Sequence, residues 1–134
     1  MSVIKSKRSE SEMEFIYTAR QLQIYTIQKC VNFPKRYTFY VSQPIVDSAT
    51  KIHQCVKCAN SIYPLNQHEA QMRRDYMLQA NAELYSLISQ IEVAQEIFGI
   101  DSDSIKYWME IVEKEMRLVK AVMKKDRERY KDLP

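Results

Sequence analysis

The fold is decided by residues 77–98, which read MLQANAELYSLISQIEVAQEIF. Apolar residues recur in this stretch at alternating steps of three and four, the spacing that lines one face of an α-helix in a bundle. The repeating positions are Met77, Ala80, Leu84, Leu87, Ile91, Ala94 and Phe98. The stretch therefore predicts a long helix that buries this face.

Two other segments repeat the same spacing, and a fourth has a broader apolar face. In the second segment of the chain the repeating positions are Thr38, Val41, Ile45, Ser48, Ile52, Cys55, Ala59 and Ile62. In the last segment they are Ile105, Met109, Val112, Met116, Val119 and Met123. The first segment, residues 10–31, carries Phe15, Ile16, Ala19, Leu22, Ile27 and Cys30. We therefore predict four helices around one core.

Short breaks separate the segments, at residues 32–34, 63–66 and 99–102. Connections this short force neighbouring helices to run antiparallel. The predicted fold is therefore all-α, an antiparallel up-down-up-down four-helix bundle. A chain of 134 residues can bury one core, so we expect a single domain whose ordered core covers about residues 11–128 and whose termini fray.

The ends of the helices have recognisable signals. Gly99 suits the left-handed C′ position that often ends a helix, and Asp101 or Ser102 can cap the fourth helix. Pro44 lacks the N–H group that a helix interior needs. We therefore expect Ser42 to cap the main second helix, with Pro44 in its first turn and a separate or kinked turn before it.

The composition is that of a folded protein without the usual catalytic motifs. Hydrophobic residues make up 46% and charged residues 28% of the chain, which is too apolar for a disordered protein. No Walker, HExxH or GxSxG sequence occurs, and there is one glycine. A di-iron bundle needs two Glu-x-x-His motifs, whereas Thr50 and Leu65 stand three residues before the two histidines, His53 and His68. We therefore predict a protein that is not an enzyme and needs no cofactor.

Hydropathy and cysteine usage indicate where the protein works. Neither a signal sequence nor a stretch of about 20 apolar residues is present. Three cysteines are an odd number, which fits a reducing compartment better than a disulfide framework. We expect free thiols and a cytoplasmic protein without a membrane partner.

Two of the cysteines, Cys55 and Cys58, form a CxxC spacing with His53 two residues upstream. Zinc sites usually need a second pair of ligands, and Cys30 has no partner at that spacing. A thioredoxin-like redox motif would need a βαβ context, which the helical segments do not supply. We interpret both thiols as packing residues and predict no metal site, with a metal or redox bundle as the third functional hypothesis.

The charge is unevenly distributed along the chain, although the formal net charge is only +3. Residues 83–113 carry seven acidic residues against Lys106 alone, and residues 114–131 carry eight basic residues against three acidic ones. Such asymmetry is typical of a protein that binds a polyanion or an acidic partner. The predicted nucleic-acid-binding residues are Arg73, Arg74, Lys120, Lys124, Lys125, Arg127, Arg129 and Lys131. In an up-down-up-down bundle all of them except Lys120 and Lys131 are expected near one pole, together with Lys5, Lys7 and Arg8, and binding continues along the last turns of the fourth helix.

An aromatic and basic stretch, FPKRYTFY, occupies residues 33–40. Its rings and cations are the groups that stack nucleic-acid bases and contact phosphates. The same residues can instead form a corner between two helices, where tyrosines pack and keep their hydroxyls hydrated. Arg73 and Arg74, followed by Tyr76, allow the same two interpretations.

Several motifs resemble those of a known family of small four-helix bundles. The matching features are Phe33-Pro34-Lys35 before the second helix with Gln43 just after, AELYSLISQIEVA at residues 82–94, and Phe98-Gly99-Ile100. In these features the chain is similar to the ribosomal-RNA intervening-sequence proteins and the accessory variability determinants of diversity-generating retroelements. Residues 58–62 read CANSI, where the intervening-sequence branch carries NIAEG, which favours the retroelement branch or a related mobile element.

The resemblance implies a homopentamer of bundles. Its positive surface would bind RNA or DNA and, in the retroelement branch, a reverse transcriptase. Our principal hypothesis is therefore a non-catalytic, oligomeric nucleic-acid-binding accessory protein that assists such a reverse transcriptase. The alternative is a protein–protein adaptor bundle without nucleic-acid binding, whose uneven charge serves an acidic partner.

Overall fold

The computed structural model describes the backbone of residues 2–134 and the side chains of residues 13–134. The four helices are α1, Ser2–Cys30; α2, Gln43–Asn60; α3, Gln67–Phe98; and α4, Ser102–Tyr130. Within the described residues there is no β-strand. The predicted all-α class with four helices is confirmed. None of these helices, over the described part of the chain, has the length and hydropathy of a membrane span.

Each helix packs against two others, since α2 and α4 both lie against α1 and α3. Between α1 and α4, Trp108 Nε1 donates a hydrogen bond to Thr26 Oγ1 at 2.9 Å, and Lys114 pairs with Glu14 at 3.3 Å. Residue numbers therefore rise along α4 as they fall along α1, which makes these two helices antiparallel. Contacts between the other neighbouring pairs show the same reversal.

The predicted buried face of α3 is confirmed. The residues that are at most 1% exposed are Met77, Ala80, Leu84, Leu87, Ile91 and Ala94, and Phe98 is half-buried against them. Four residues before Met77 the same face continues with Arg73, which is 6% exposed. One face of α3 therefore supplies the centre of the core along most of the bundle.

The buried face of α4 differs from the prediction. Its buried residues are Ile105, Trp108, Ile111, Val112, Glu115 and Val119. The predicted core residues that are only half-buried are Met109, Met116 and Met123. The reason is the large Trp108 ring, which packs edge-on against Tyr25 of α1 at 6.4 Å between ring centres. This contact turns α4 so that its methionines lie at the edge of the core.

The buried faces of α1 and α2 also differ in detail from the prediction. In α2, Val56 is buried and Cys55 is only half-buried, and Thr38 before the helix is exposed. In α1, Ile27 is 40% exposed while Thr26 is fully buried. Apolar residues occupy both faces of α1, so its periodicity alone does not identify the buried one.

The helix ends largely follow the predicted signals. Gly99 adopts φ 63° at the end of α3, and Asp101 caps α4 by accepting a hydrogen bond from the Ser104 N–H at 2.8 Å. Pro44 lies in the first turn of α2, as predicted, whereas Ser42 precedes the helix without a capping bond from its side chain. The expected separate turn consists of a 3-10 helix, Lys35–Tyr37, and a π-helical turn, Thr38–Ser42.

The C-terminal residues contact the start of α3, although the sequence predicts fraying beyond residue 128. The Gln67 N–H donates to the Pro134 carbonyl oxygen at 2.9 Å. The Gln67 side chain donates to the carbonyl oxygens of Tyr130 and Leu133 at 2.8 and 3.0 Å, which have no partner within the helix. At the other terminus, the prediction of fraying and the predicted pole residues Lys5, Lys7 and Arg8 fall outside the described side chains.

Candidate nucleic-acid interface

A row of cationic residues follows one face of the second half of α4. Its members recur at steps of three and four, and all are exposed: Arg117, Lys120, Lys124, Arg127 and Lys131. At 1.5 Å of rise per residue the row is about 21 Å long. We call this row the basic ridge.

The basic ridge runs along the side of α4 that faces α3. Lys120 Nζ lies 3.4 Å from the Tyr85 hydroxyl and 5.7 Å from the centre of its ring, a cation–π arrangement. Further along, Arg74 of α3 joins Arg127 and Lys131 around a cleft of about 250 Å³. Three cations, together with the Asp126 carboxylate, therefore line a cleft at the end of the ridge.

The carboxylates of this part of α4 do little to neutralise the ridge. Of the three acidic residues between 114 and 131, Glu115 is fully buried at 0% exposure. Asp126 is bound by Arg73 at 2.7 Å. Glu128 is exposed and pairs with Lys131 at 3.2 Å, but exposed pairs of this kind are weak. The surface along the ridge is therefore positive.

Arg73, predicted as a nucleic-acid contact, is a buried structural residue. Its Nη1 donates to the carbonyl oxygens of Ala59 and Ile62 at 3.1 and 3.3 Å, and its Nε donates to Asp126 at 2.7 Å. Because this guanidinium is buried and engaged with α2 and α4, we remove it from the predicted site. The sequence indicated that Arg73 is buried, because Arg73 lies four residues before Met77 and continues the spacing of the buried positions in α3.

The other predicted cations of α4 divide between its two flanks. Four of them belong to the basic ridge. Lys125 and Arg129 instead lie around a smaller cleft of about 170 Å³, which Phe15 of α1 also lines. The prediction did not include Arg117, although it lies three residues before Lys120 and continues the ridge spacing. Counting charges along the chain identified the basic segment of α4, but it did not show which face of the helix each side chain occupies.

The acidic connection between α3 and α4 lies far from the ridge. Glu96, Asp101 and Asp103 are exposed there. Lys124 lies about 32 Å further along α4 than Asp103, at the helical rise. Along α4 the described surface therefore changes from negative at the start of the helix to positive at the ridge, which favours docking of a polyanion on the ridge.

Glu115 is a buried acid that the apolar pattern of α4 did not reveal. Neither oxygen of its carboxyl group has a hydrogen-bond partner among the described residues. Burial raises the pKa of this carboxyl to about 9. Glu115 is therefore protonated at neutral pH and contributes no negative charge beneath the ridge.

The cysteines and His53 form contacts between helices. Burial, followed by the effects of Cys58 and Glu83, raises the pKa of the half-buried Cys55 thiol, which makes it a poor nucleophile. His53 Nδ1 lies 2.8 Å from Gln23 Oε1, which links α2 to α1. The described side chains include no group of three or more His, Cys, Asp or Glu residues that could hold a metal ion.

The aromatic and basic stretch divides into a packed half and an exposed half. Phe33 and Tyr37 pack against Phe98, with ring centres 4.8 and 5.2 Å away. Phe39 and Tyr40 are each 83% exposed. A packed corner between two helices therefore explains Phe33 and Tyr37, but it does not explain the exposed rings of Phe39 and Tyr40.

The fold and this surface define a class of protein, a four-helix bundle with one positive end. The chain matches no family model, no curated protein and no solved structure. The resemblance to the intervening-sequence and retroelement accessory proteins therefore stays a prediction.

Proposed function

We propose that this protein is a non-catalytic nucleic-acid-binding protein that contacts the phosphate backbone through the basic ridge. The observation that carries the proposal is the row of five exposed cations. Of the three acidic residues between 114 and 131, Glu115 is buried, and Asp126 and Glu128 are ion-paired. Each cation that neutralises a phosphate releases condensed counterions, and this release drives binding.

The proposed binding has little sequence selectivity. The ridge consists of Lys and Arg side chains, which contact phosphates and so position a nucleic acid without reading its bases. The described helices form a bundle, and none of them belongs to a helix-turn-helix, zinc-finger or RNA-recognition module. Structured RNA and DNA are both partners under this proposal.

The sequence resemblance supports a more specific role. We propose that the protein assists the reverse transcriptase of a diversity-generating retroelement or related mobile element. The support for this role is the similarity at residues 82–94 and 98–100. A neighbouring gene for a reverse transcriptase, with template and variable repeats, is the observation that tests it.

We propose in addition that the protein is a homo-oligomer, most simply the pentamer that the resemblance implies. The outer face of α1 supports self-association, because it carries apolar residues that are each at least 40% exposed: Met13, Tyr17, Ile24, Ile27 and Val31. An apolar stripe on both faces is typical of a helix that is buried on both sides. A closed assembly would repeat the basic ridge, and linked ridges gain avidity.

Fluorescence anisotropy with a labelled DNA duplex and a labelled structured RNA tests the nucleic-acid function. Replacing Lys120, Lys124 and Arg127 with Gln should weaken binding to both nucleic acids. A matched control removes the same charge from exposed positions elsewhere: Lys51, Lys57 and Lys106. Equal losses in the two variants would mean that net charge, and not the ridge, carries binding.

Absence of binding by the unaltered protein would refute the nucleic-acid function. The protein–protein adaptor would then be the better proposal, because the exposed apolar face of α1 fits a protein partner. Exposed apolar patches of this kind mark interaction sites.

A further inference from the structure

The connection between α1 and α2 presents two aromatic rings to solvent. Phe39 and Tyr40 are each 83% exposed, more than any other large hydrophobic side chain of the described residues. Both lie in the π-helical turn, Thr38–Ser42. We call the segment from Lys35 to Ser42 the aromatic turn. Keeping two rings in water costs free energy, and packing of the bundle does not account for them.

The aromatic turn is anchored on the core, so its exposed rings are held on a defined support. Phe33 and Tyr37 pack against Phe98. The Tyr37 N–H donates to the Pro34 carbonyl oxygen at 3.0 Å, and the turn continues directly into α2. A ligand that stacks on Phe39 or Tyr40 therefore pays little entropy for ordering the backbone.

The aromatic turn itself carries positive charge, although the acidic connection between α3 and α4 lies at the same end of the bundle. Lys35 and Arg36 are exposed, and no Asp or Glu occurs between residues 15 and 46. The next acidic residue, Asp47, accepts a hydrogen bond from Gln43 Nε2 at 2.9 Å. Exposed rings beside cations, without a carboxylate in the same segment, match the groups of a single-stranded nucleic acid: flat bases and phosphates.

We propose that the aromatic turn is a binding site for single-stranded nucleic acid. Bases stack on Phe39 and Tyr40, and the flanking phosphates contact Lys35 and Arg36. The inference rests on the proposed nucleic-acid function but assigns a second surface. Because Phe33 packs against Phe98 at the end of α3, the site lies at the opposite end of the bundle from the cleft at Arg74.

The two surfaces should differ in their response to salt. Contacts between exposed charges weaken as salt shortens the screening length, so the basic ridge should release its ligand at high salt. A single strand releases fewer counterions per phosphate contact than a duplex, so its binding should weaken less steeply with salt. Stacking of its bases on aromatic rings does not depend on sequence. The protein should therefore still bind single strands at a salt concentration that abolishes its binding to a duplex.

A Phe39→Trp variant reports stacking directly. The chain has one tryptophan, Trp108, and it is 1% exposed, so its emission is a constant background. Adding an oligothymidylate at high salt should quench the emission of the introduced indole, whereas adding a duplex of the same length should not. Absence of quenching by a single strand that the protein does bind would overturn the inference.

The loss-of-function test replaces Phe39 and Tyr40 together with Ala. Affinity for oligothymidylate should fall about tenfold or more, as loss of base stacking typically does, while duplex affinity should stay within about twofold. Thermal unfolding should not change, because both rings are exposed. Tyr107→Ala is the matched control, since Tyr107 is 57% exposed on α4 and belongs to neither proposed surface, and it should leave both affinities unchanged.

The outcomes separate this inference from the proposed function. If the unaltered protein binds neither form of nucleic acid, both fail. If it binds duplex and the double Ala variant binds single strands as the parent does, the ridge remains and the aromatic-turn site is wrong. Binding of Phe39→Trp to phosphatidylserine vesicles, with a blue-shifted emission and no quenching by oligothymidylate, would also overturn the inference, because the turn would then be a membrane contact.

Discussion

Arg73 and Asp126 form a two-bonded ion pair between the first turns of α3 and the last turns of α4, with N–O distances of 2.7 and 3.3 Å. The two side chains are only 7% and 14% exposed. Arg73 also donates to two carbonyl oxygens at the end of α2. One guanidinium therefore joins three helices and holds the half of α4 that carries the basic ridge.

Replacing Arg73 with Ala should strongly destabilise the protein. Asp126 would keep its charge in a shielded position without a partner, and breaking such a pair typically costs about 3–5 kcal/mol. The carbonyl groups of Ala59 and Ile62 would also lose their donor. Urea denaturation measures the effect, with Arg74→Ala as the partly exposed neighbour that should change the midpoint little. Equal midpoints for the two variants would contradict the structural role of Arg73.

The apolar face of α3 should carry much of the stability. Leu87 and Ile91 are both 0% exposed, so replacing either with Ala should cost about 2–5 kcal/mol through lost burial and the cavity left behind. Cys58 is exposed, and Cys58→Ser should cost much less. Thermal unfolding compares the three variants. A Leu87→Ala protein that melted with the parent would show that the core is assigned to the wrong face.

The buried face of α3 could be predicted from sequence because its apolar residues occupy one face only. In α1 they occupy both faces, so spacing could not tell that Ile27 is exposed. In α4 the bond between Trp108 and Thr26 joins residues 82 positions apart. A local pattern does not encode that contact, which orients the helix and leaves the methionines at its edge.

The candidate site could be predicted only as a segment. Counting charges found the basic end of α4, but a count ignores side-chain direction. The predicted site therefore included Arg73, which is buried, and left out Arg117, which is exposed on the ridge. The count also treated Glu115 and Asp126 as neutralising charges. In the structure Glu115 is buried and Asp126 is paired with Arg73. The surface is therefore more positive than the count of charged residues indicates.

Glu115 should make stability depend on pH. Burial raises the pKa of its carboxyl to about 9 in the folded protein, against about 4.3 in an unfolded chain. Between these values the folded protein binds the additional proton, so stability falls as pH rises through this window and levels off above it. The charged groups that act on Glu115 are Lys114, which lowers its pKa, and Glu14, which raises it.

Replacing Glu115 with Met should remove this pH dependence. Met is apolar and of similar length, and replacing a buried charged or polar group in this way is often neutral or stabilising. Urea midpoints measured from mildly acidic to mildly alkaline pH should therefore rise above those of the parent, most at the alkaline end. Glu113 is exposed, so Glu113→Gln is the control. Its urea midpoint should change with pH as steeply as that of the parent. If the stability of Glu115→Met fell with rising pH as steeply as that of the parent, a group other than Glu115 would cause the pH dependence.

The oligomer should depend on the outer face of α1. Multi-angle light scattering should give the parent a mass of five times the 15.9 kDa chain, and Ile24→Glu with Ile27→Glu should reduce it, because charges in an apolar interface are costly. Val93→Glu is the control, since Val93 is 51% exposed on α3. A parent protein with the mass of one chain at micromolar concentration would refute self-association.

The two flanks of α4 should contribute differently to the salt dependence of duplex binding. Each lost phosphate contact should reduce the steepness of log affinity against log salt by about 0.9 on duplex DNA. Replacing the ridge residues Lys120, Lys124 and Arg127 with Gln should therefore flatten the dependence more than replacing Lys125 and Arg129, which lie around the smaller cleft. Exposure of these side chains means that both variants should remain folded.

The variant with all five substitutions gives the strictest test of this surface. It should bind every nucleic acid more weakly than the parent, because phosphate contacts do not depend on sequence. Its circular dichroism and melting temperature should stay close to those of the parent, since none of the five side chains belongs to the core. If it kept both the affinity and the salt slope of the parent, the ridge would be only a hydrated helix face, and a protein partner for the exposed side of α1 would become the better explanation of this bundle.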